Sequence, residues 1–171
     1  AASSDYPLRD VYKRQGSGLM AIDKFKGIIS DEIEEKEKHR ILIVDDDQIN
    51  IMVMTNYMES FSDCEFETAF NGKQAVELVA ANAEKGKYFD VILMDCNMPI
   101  MDGFQASLKI QKYYEKKGRR KIPIMGVTAN TSNADILMCK SAGMDHYMEK
   151  PLKKFELKKA LENIFDIKIN G

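Results

Sequence analysis

The chain has 171 residues, 44% hydrophobic and 30% charged, a balance that fits a soluble globular domain with room for a core. A formal net charge of -2 offers no global basic field for nucleic acid, and no apolar run reaches membrane-spanning length. The three cysteines (Cys64, Cys96, Cys139) lie far apart without a CxxC pair beside only two histidines. This argues against a disulfide framework or structural zinc site and for a reducing compartment.

Residues 1–18 carry no apolar periodicity and read as a leader foreign to the fold, non-native or disordered. Within them, Asp10-Val11-Tyr12-Lys13-Arg14-Gln15 resembles the translation of a sequencing adaptor, and Gly16-Ser17-Gly18 follows as a joint. Residues 19–39 read as a charged linker: Glu32/Lys36 and Glu34/Lys38 are spaced i,i+4, but too few apolar residues are present to bury a face.

From Arg40 the pattern becomes regular. Residues 41–44 form an apolar strand that ends in Asp45-Asp46-Asp47. A helix over 48–60 places Ile51, Met54, Met58 and Phe61 on one stripe. A strand over 65–70 runs into an Asn71-Gly72 turn, and a helix over 73–84 carries Val76, Val79, Ala80 and Ala83 on one face. Residues 89–94 are nearly continuous in apolar side chains, as a central parallel strand covered on both faces requires. A helix over 104–117 directs Phe104, Leu108 and Tyr114 inward. A strand over 122–127, a helix over 131–142 ended by Gly143, a strand over 145–148 and a helix over 153–165 follow. Strictly alternating strands and helices predict one doubly wound, five-stranded parallel sheet with helices on both faces.

The third strand stops abruptly on a carboxylate, Asp95, and Pro99 and Gly103 then turn the chain. Parallel strands end on one edge, where open α/β sheets place their chemistry. That edge collects Asp45, Asp46 and Asp95, with Thr128 and Lys150 from the last two strands. Such an acidic cluster is unfavourable unless a cation or proton relieves it. Its oxygen ligands suit one hard divalent cation, Mg²⁺ best. One carboxylate could act as a nucleophile toward a phosphoryl group, with the metal, the lysine and the hydroxyl meeting the charge that develops. Other features have plainer readings. Asp47 is a helix-capping acid, and Asp102-Gly103 is turn chemistry. Cys96 is a passive loop residue, the run 116–121 a solvated basic loop, and the methionines mostly core packing.

Taken in order, ILIVDDDQIN, AFNGKQAVE, LMDCNMPIMDG, KIPIMGVTAN and KPL resemble the receiver domain of two-component response regulators, most of all the receivers of hybrid histidine kinases. The resemblance runs from about Arg40 to about Ile167 and implies a flavodoxin-like (βα)5 domain over 40–168. It implies that Asp95 accepts a phosphoryl group from a phosphohistidine, with catalytic roles for Thr128 and Lys150. Mg²⁺ would be held by Asp46, Asp95, the backbone carbonyl of Asn97 and, directly or through water, Asp45. Thr128 and Tyr147 would switch the surface around the fourth helix, fifth strand and fifth helix. Asn97 and Asn130 would tune phosphoryl lifetime, and the Lys150-Pro151 bond would be cis. The implied partner is a histidine kinase or histidine phosphotransfer domain. Neither nucleic acid nor membrane is contacted directly, the location is cytoplasmic, and a phosphorylation-linked dimer is allowed. Such a domain catalyses its own phosphorylation and slow dephosphorylation rather than turnover of an external substrate.

Two other classes fit less well. A phosphohydrolase of the haloacid-dehalogenase kind needs an acid two residues after its nucleophile, where this chain has Asn97. A flavodoxin-like cofactor binder needs a phosphate-cradling loop after strand one, where this chain has three acids. With nothing beyond residues 168–171 after the last helix, the expected context is a stand-alone receiver or the C-terminal receiver of a hybrid kinase.

Overall fold

A computed structural model describes residues 38–129 and 132–170. The expected leader, the linker as far as residue 37, and Asn130 lie outside the described residues. Five strands, β1 (His39–Val44), β2 (Cys64–Ala69), β3 (Val91–Asp95), β4 (Ile124–Thr128) and β5 (His146–Glu149), form one parallel sheet in the order β2-β1-β3-β4-β5. Between and after them run α1 (Gln48–Glu59), α2 (Gly72–Glu84), α3 (Gly103–Lys116), α4 (Asn133–Ser141) and α5 (Lys154–Phe165).

Alternation along the strands splits the core in two. Leu42, Val44, Ile92, Met94 and Ile124 pack with Ala75, Val79, Ala106, Ile110, Tyr114 and Cys139, which come from α2, α3 and α4. Ile41, Ile43, Val91, Leu93, Met125 and Val127 pack with Ile51, Met54, Met58, Leu157 and Leu161 from α1 and α5. Successive strand residues thus face opposite helical layers, which explains why β1 and β3 read as unbroken apolar runs. Each buried Leu or Ile contributes about 1.5–3 kcal/mol relative to leaving it exposed.

Three strands end one residue beyond the sequence expectation, and β2 ends one residue short of it, at Ala69. β3, β4 and β5 continue onto Asp95, Thr128 and Glu149, because the ladder (Asp95↔Val127, Thr128↔Glu149) depends on backbone pairing and not on side-chain polarity. β4 starts after Pro123, which has no N–H to donate, although its carbonyl accepts from Ile92 at 3.1 Å. α3 corrects a second expectation. Its buried face is Ala106, Ile110 and Tyr114, while Leu108 is 43% exposed. Ala106 lies under Gly72, where a Cβ would come within 2.9 Å of it, so α2 and α3 approach too closely for a bulkier residue there. The methionines are mostly buried, but Met52 and Met138 stand exposed.

Asp47 caps α1 by accepting from the N–H of Ile49 at 2.8 Å, and Asp102 caps α3 by accepting from Gln105 at 2.7 Å. Gly143 has φ +80°, the left-handed conformation that ends α4 cheaply only for glycine. Among the described residues no helix is long and apolar enough to cross a membrane.

Candidate acidic site at the carboxyl edge of the sheet

β1 and β3 are neighbours, so the residues just past Val44 and Met94 meet at one edge. Asp45 and Asp95 are both buried, at 0% and 3% exposure, whereas Asp46 faces solvent. Carboxylate oxygens of Asp45, Asp46 and Asp95 all lie within 4.8 Å of one another. Between the two buried acids sits one cation. Lys150 Nζ is 2.8 Å from Asp45 Oδ2 and 2.8 Å from Asp95 Oδ2. Lys150 is placed by the β5 end: its N–H donates to the Thr128 carbonyl at 2.8 Å, and the Lys150-Pro151 bond is cis.

The remaining acceptor positions are partly filled by the chain. The Asn97 N–H donates to Asp95 Oδ1 at 3.1 Å. Asp45 Oδ1 accepts from the Asp47 N–H at 2.9 Å and from Asn50 Nδ2 at 3.1 Å. Asn50 is a site-bordering residue that the sequence reading does not single out. A signal for it exists: with Asp47 as the cap, position 50 falls in the first turn of α1, facing back toward Asp45.

One lysine cannot neutralise two buried carboxylates. Burial pushes the Asp95 carboxyl above its ordinary value, against the opposing pull of Lys150 and the Asn97 N–H, and Asp45 adds to the rise. Burial would lower Lys150, but its hydrogen bonds to Asp45 and Asp95 outweigh this and hold its ammonium above the usual range. The edge therefore carries excess negative charge in a dry setting, and three carboxylates are a hard-oxygen donor set that fits a divalent cation of the Mg²⁺ type.

The loop after Asp95 is fixed from below. A Cβ on Gly103 would lie 2.1 Å from the Asp95 carbonyl oxygen, so only glycine lets α3 begin there. Gly103 also donates its N–H to the Cys96 carbonyl at 3.0 Å. Ile100 sits on this loop at φ 70° and is 78% exposed, a strained conformation for a β-branched residue. Beside the acids, Ile49, Val53, Met54, Pro151 and Leu152 line a cavity of about 250 Å³ that reaches Asp45 and Lys150. Ile49, Met52 and Val53 leave an exposed apolar surface on α1.

Of the other expected residues, Thr128 is buried at the β4 end, next to β5 in the sheet. Tyr147 lies on β5 with its side chain 43% exposed, and Asn97 is exposed.

A profile of the response regulator receiver domain matches residues 41–162. The chain belongs to the response regulator receiver family. Over 123 residues the receiver is 36% identical to hybrid signal transduction histidine kinase L of Dictyostelium discoideum, covering 72% of this chain and 7% of that kinase. Over 117 residues it is 37% identical to the peroxide stress-activated histidine kinase mak1 of Schizosaccharomyces pombe, covering 68% of this chain and 7% of that kinase. The chain thus spans a small fraction of the kinases it matches. In structure it is similar to the receiver domain of the histidine kinase CKI1 from Arabidopsis thaliana complexed with Mg²⁺ and BeF₃⁻, with a TM-score of 0.66, 32% identity, and coverage of 78% and 93% of the two chains. It also resembles the co-crystal structure of the Saccharomyces cerevisiae phosphotransfer protein Ypd1 and the receiver of Ssk1, with a TM-score of 0.65, 25% identity, and coverage of 74% and 88%. The flavodoxin-like (βα)5 class expected from sequence is the fold of this receiver.

Proposed function

We propose that this receiver takes a phosphoryl group from a phosphohistidine onto Asp95 and thereby acts as a signalling switch. The observation that carries the reading is the shared lysine: one ammonium held 2.8 Å from each of two buried carboxylates, beside a third. Asp46, Asp95 and the Asn97 carbonyl would hold Mg²⁺, with Asp45 a direct or water-bridged ligand. When bound, the cation supplies positive charge against the carboxylates and the phosphoryl oxygens.

The chain's own groups do the rest. A carboxylate oxygen of Asp95 attacks phosphorus in line as the P–N bond to the donor imidazole breaks. Lys150, already hydrogen-bonded to Asp95, pulls that carboxylate toward its ionised form against the effect of burial and then follows the incoming charge. Thr128 brings its hydroxyl to a phosphoryl oxygen, and Tyr147 moves with it, altering the face formed by α4, β5 and α5. Phosphorylation then shifts a population between two arrangements of that face. Asn97 and Asn130 tune how long the acyl phosphate survives the domain's own slow hydrolysis.

The domain is proposed to span residues 40–168 and to serve as the receiver of a cytoplasmic hybrid histidine kinase or as a stand-alone response regulator. The relatives support the former, and three free cysteines support a reducing compartment. Exposed Ile49, Met52 and Val53 beside the site provide the apolar surface on which a histidine phosphotransfer domain docks. The test is phosphotransfer from a ³²P-labelled phosphotransfer protein. Label should move to the wild-type chain and not to Asp95→Asn; transfer to both would remove Asp95 from its assigned role.

A further inference from the structure

Cys96 follows Asp95 directly, and Cys139 is the one residue of α4 that is buried. Their sulfurs lie 3.8 Å apart with both side chains out of solvent. The approach is made possible by Gly126 on β4. A Cβ at that position would sit 3.2 Å from Cys139 Sγ, 3.3 Å from Cys96 Sγ and 2.8 Å from Met144 Sδ, so the sulfurs fill the space a side chain would claim. α4 itself is held weakly. It has nine residues, and Leu137 and Met138 on it stand exposed. A short helix with a single buried anchor opens locally at low cost. Opening exposes Cys139 first, since Cys139 is carried on α4 and Cys96 sits directly after β3, its N–H held by the Val127 carbonyl at 2.9 Å.

We propose that Cys96 and Cys139 are a redox pair: hydrogen peroxide converts them to a disulfide that ties α4 to the strand carrying Asp95. The Cys139 thiol attacks the peroxide, the O–O bond breaks, and a sulfenic acid and one water result. On reclosure the Cys96 sulfur displaces that hydroxyl, which leaves as a second water with the Cys96 proton. Two thiols are oxidised and one hydrogen peroxide is reduced to two waters. The bond fixes α4, part of the face whose movement the phosphorylation reading requires, so it couples oxidation to signalling. This regulatory half rests on the proposed function; disulfide formation does not.

The experiment treats the folded chain, in a Cys64→Ser background, with hydrogen peroxide, and counts thiols by alkylation after unfolding. Peptide mapping then locates any cross-link. The expected result is loss of both alkylatable thiols to one intramolecular Cys96–Cys139 link, reversed by dithiothreitol and absent in Cys139→Ser. Two thiols still free after treatment, or a link that forms only in urea, would overturn the proposal. In the same samples, acyl-phosphate labelling of Asp95 should fall at least tenfold on oxidation and recover on reduction, while Cys139→Ser labels equally with and without peroxide. A disulfide that leaves labelling unchanged would overturn the regulatory half. A reduced chain that never labels would instead strike the phosphoacceptor reading and leave the disulfide result standing.

Discussion

Lys150 and Asp95 are joined at 2.8 Å, yet the carboxyl of that pair is pushed toward its protonated form. The contradiction disappears once burial is counted first, and Asp45, held by the same ammonium at the same distance, adds a smaller push in the same direction. Burial and the surplus charge outweigh the ion pair.

A pH dependence follows with a definite sign. A carboxyl whose folded pKa lies above its unfolded value contributes stability below the unfolded value and loses it as pH rises through the folded one. Without metal, the wild-type domain should therefore lose melting temperature relative to Asp95→Asn as pH climbs from the ordinary aspartate value of 3.8. Asp95→Asn should be the more stable protein at pH 7. Melting curves of both across pH 4 to 8 check this; parallel curves would mean that Asp95 carries no burial penalty.

Divalent cation should relieve the same penalty. Saturating Mg²⁺, at about 100 times its dissociation constant, stabilises a binding-competent fold by about 2.7 kcal/mol. The melting temperature of the wild type should rise with Mg²⁺, and that of Asp46→Ala much less, because among the described residues the exposed acid of the cluster is the one no lysine occupies. Equal shifts in both would place the cation elsewhere.

Lys150→Ala leaves Asp45 and Asp95 facing each other without the shared ammonium. Mg²⁺ binding should survive, since three carboxylates remain, but labelling of Asp95 by acyl phosphate should slow by about 10²-fold, the scale for losing one preorganised charge in a transition state. Stopped-flow or quenched labelling at saturating Mg²⁺ measures it.

Gly103→Ala would put a Cβ 2.1 Å from the Asp95 carbonyl oxygen. Backbone cannot yield there without moving β3, so the cost should be about 3 kcal/mol, at the upper end of overpacking effects. Urea denaturation should show the midpoint falling. An unchanged midpoint would mean that the α3 start is looser than its packing.

Much of the fold and of the acidic edge is legible in the amino-acid order. The carboxylate ending β3 stands out because the apolar run Val91-Ile92-Leu93-Met94 leads straight into it, and strand order then carries Asp45, Asp46, Thr128 and Lys150 to the same edge. Leu108 misleads because hydrophobicity favours the larger residue, whereas close helix packing at Gly72 selects small Ala106. Asn50 escapes notice because a hydrogen bond from a helix's first turn back across its cap leaves no mark in hydrophobic periodicity. The sulfur pair depends on a glycine on a third element, and nothing in the separate positions of Cys96, Gly126 and Cys139 announces that they converge.

The apolar face of α1 separates docking from folding. Met52→Asp, at a position 63% exposed, should change stability within about 0.5 kcal/mol, as surface substitutions do. It should nonetheless slow phosphotransfer from a histidine phosphotransfer protein and leave labelling by acyl phosphate intact. Phosphotransfer as fast as in the wild type would show that α1 does not carry the partner.

Whether Asp95 is a metal-assisted phosphoacceptor is decided by intact-protein mass after incubation with a small acyl phosphate. A phosphoacceptor Asp95 gains one phosphoryl adduct in the presence of Mg²⁺ and none when the metal is chelated, and Asp95→Asn gains none. An adduct that persists in Asp95→Asn, or a folded, Mg²⁺-binding wild type that never gains one from either the small donor or a phosphohistidine protein, would remove Asp95 from that role.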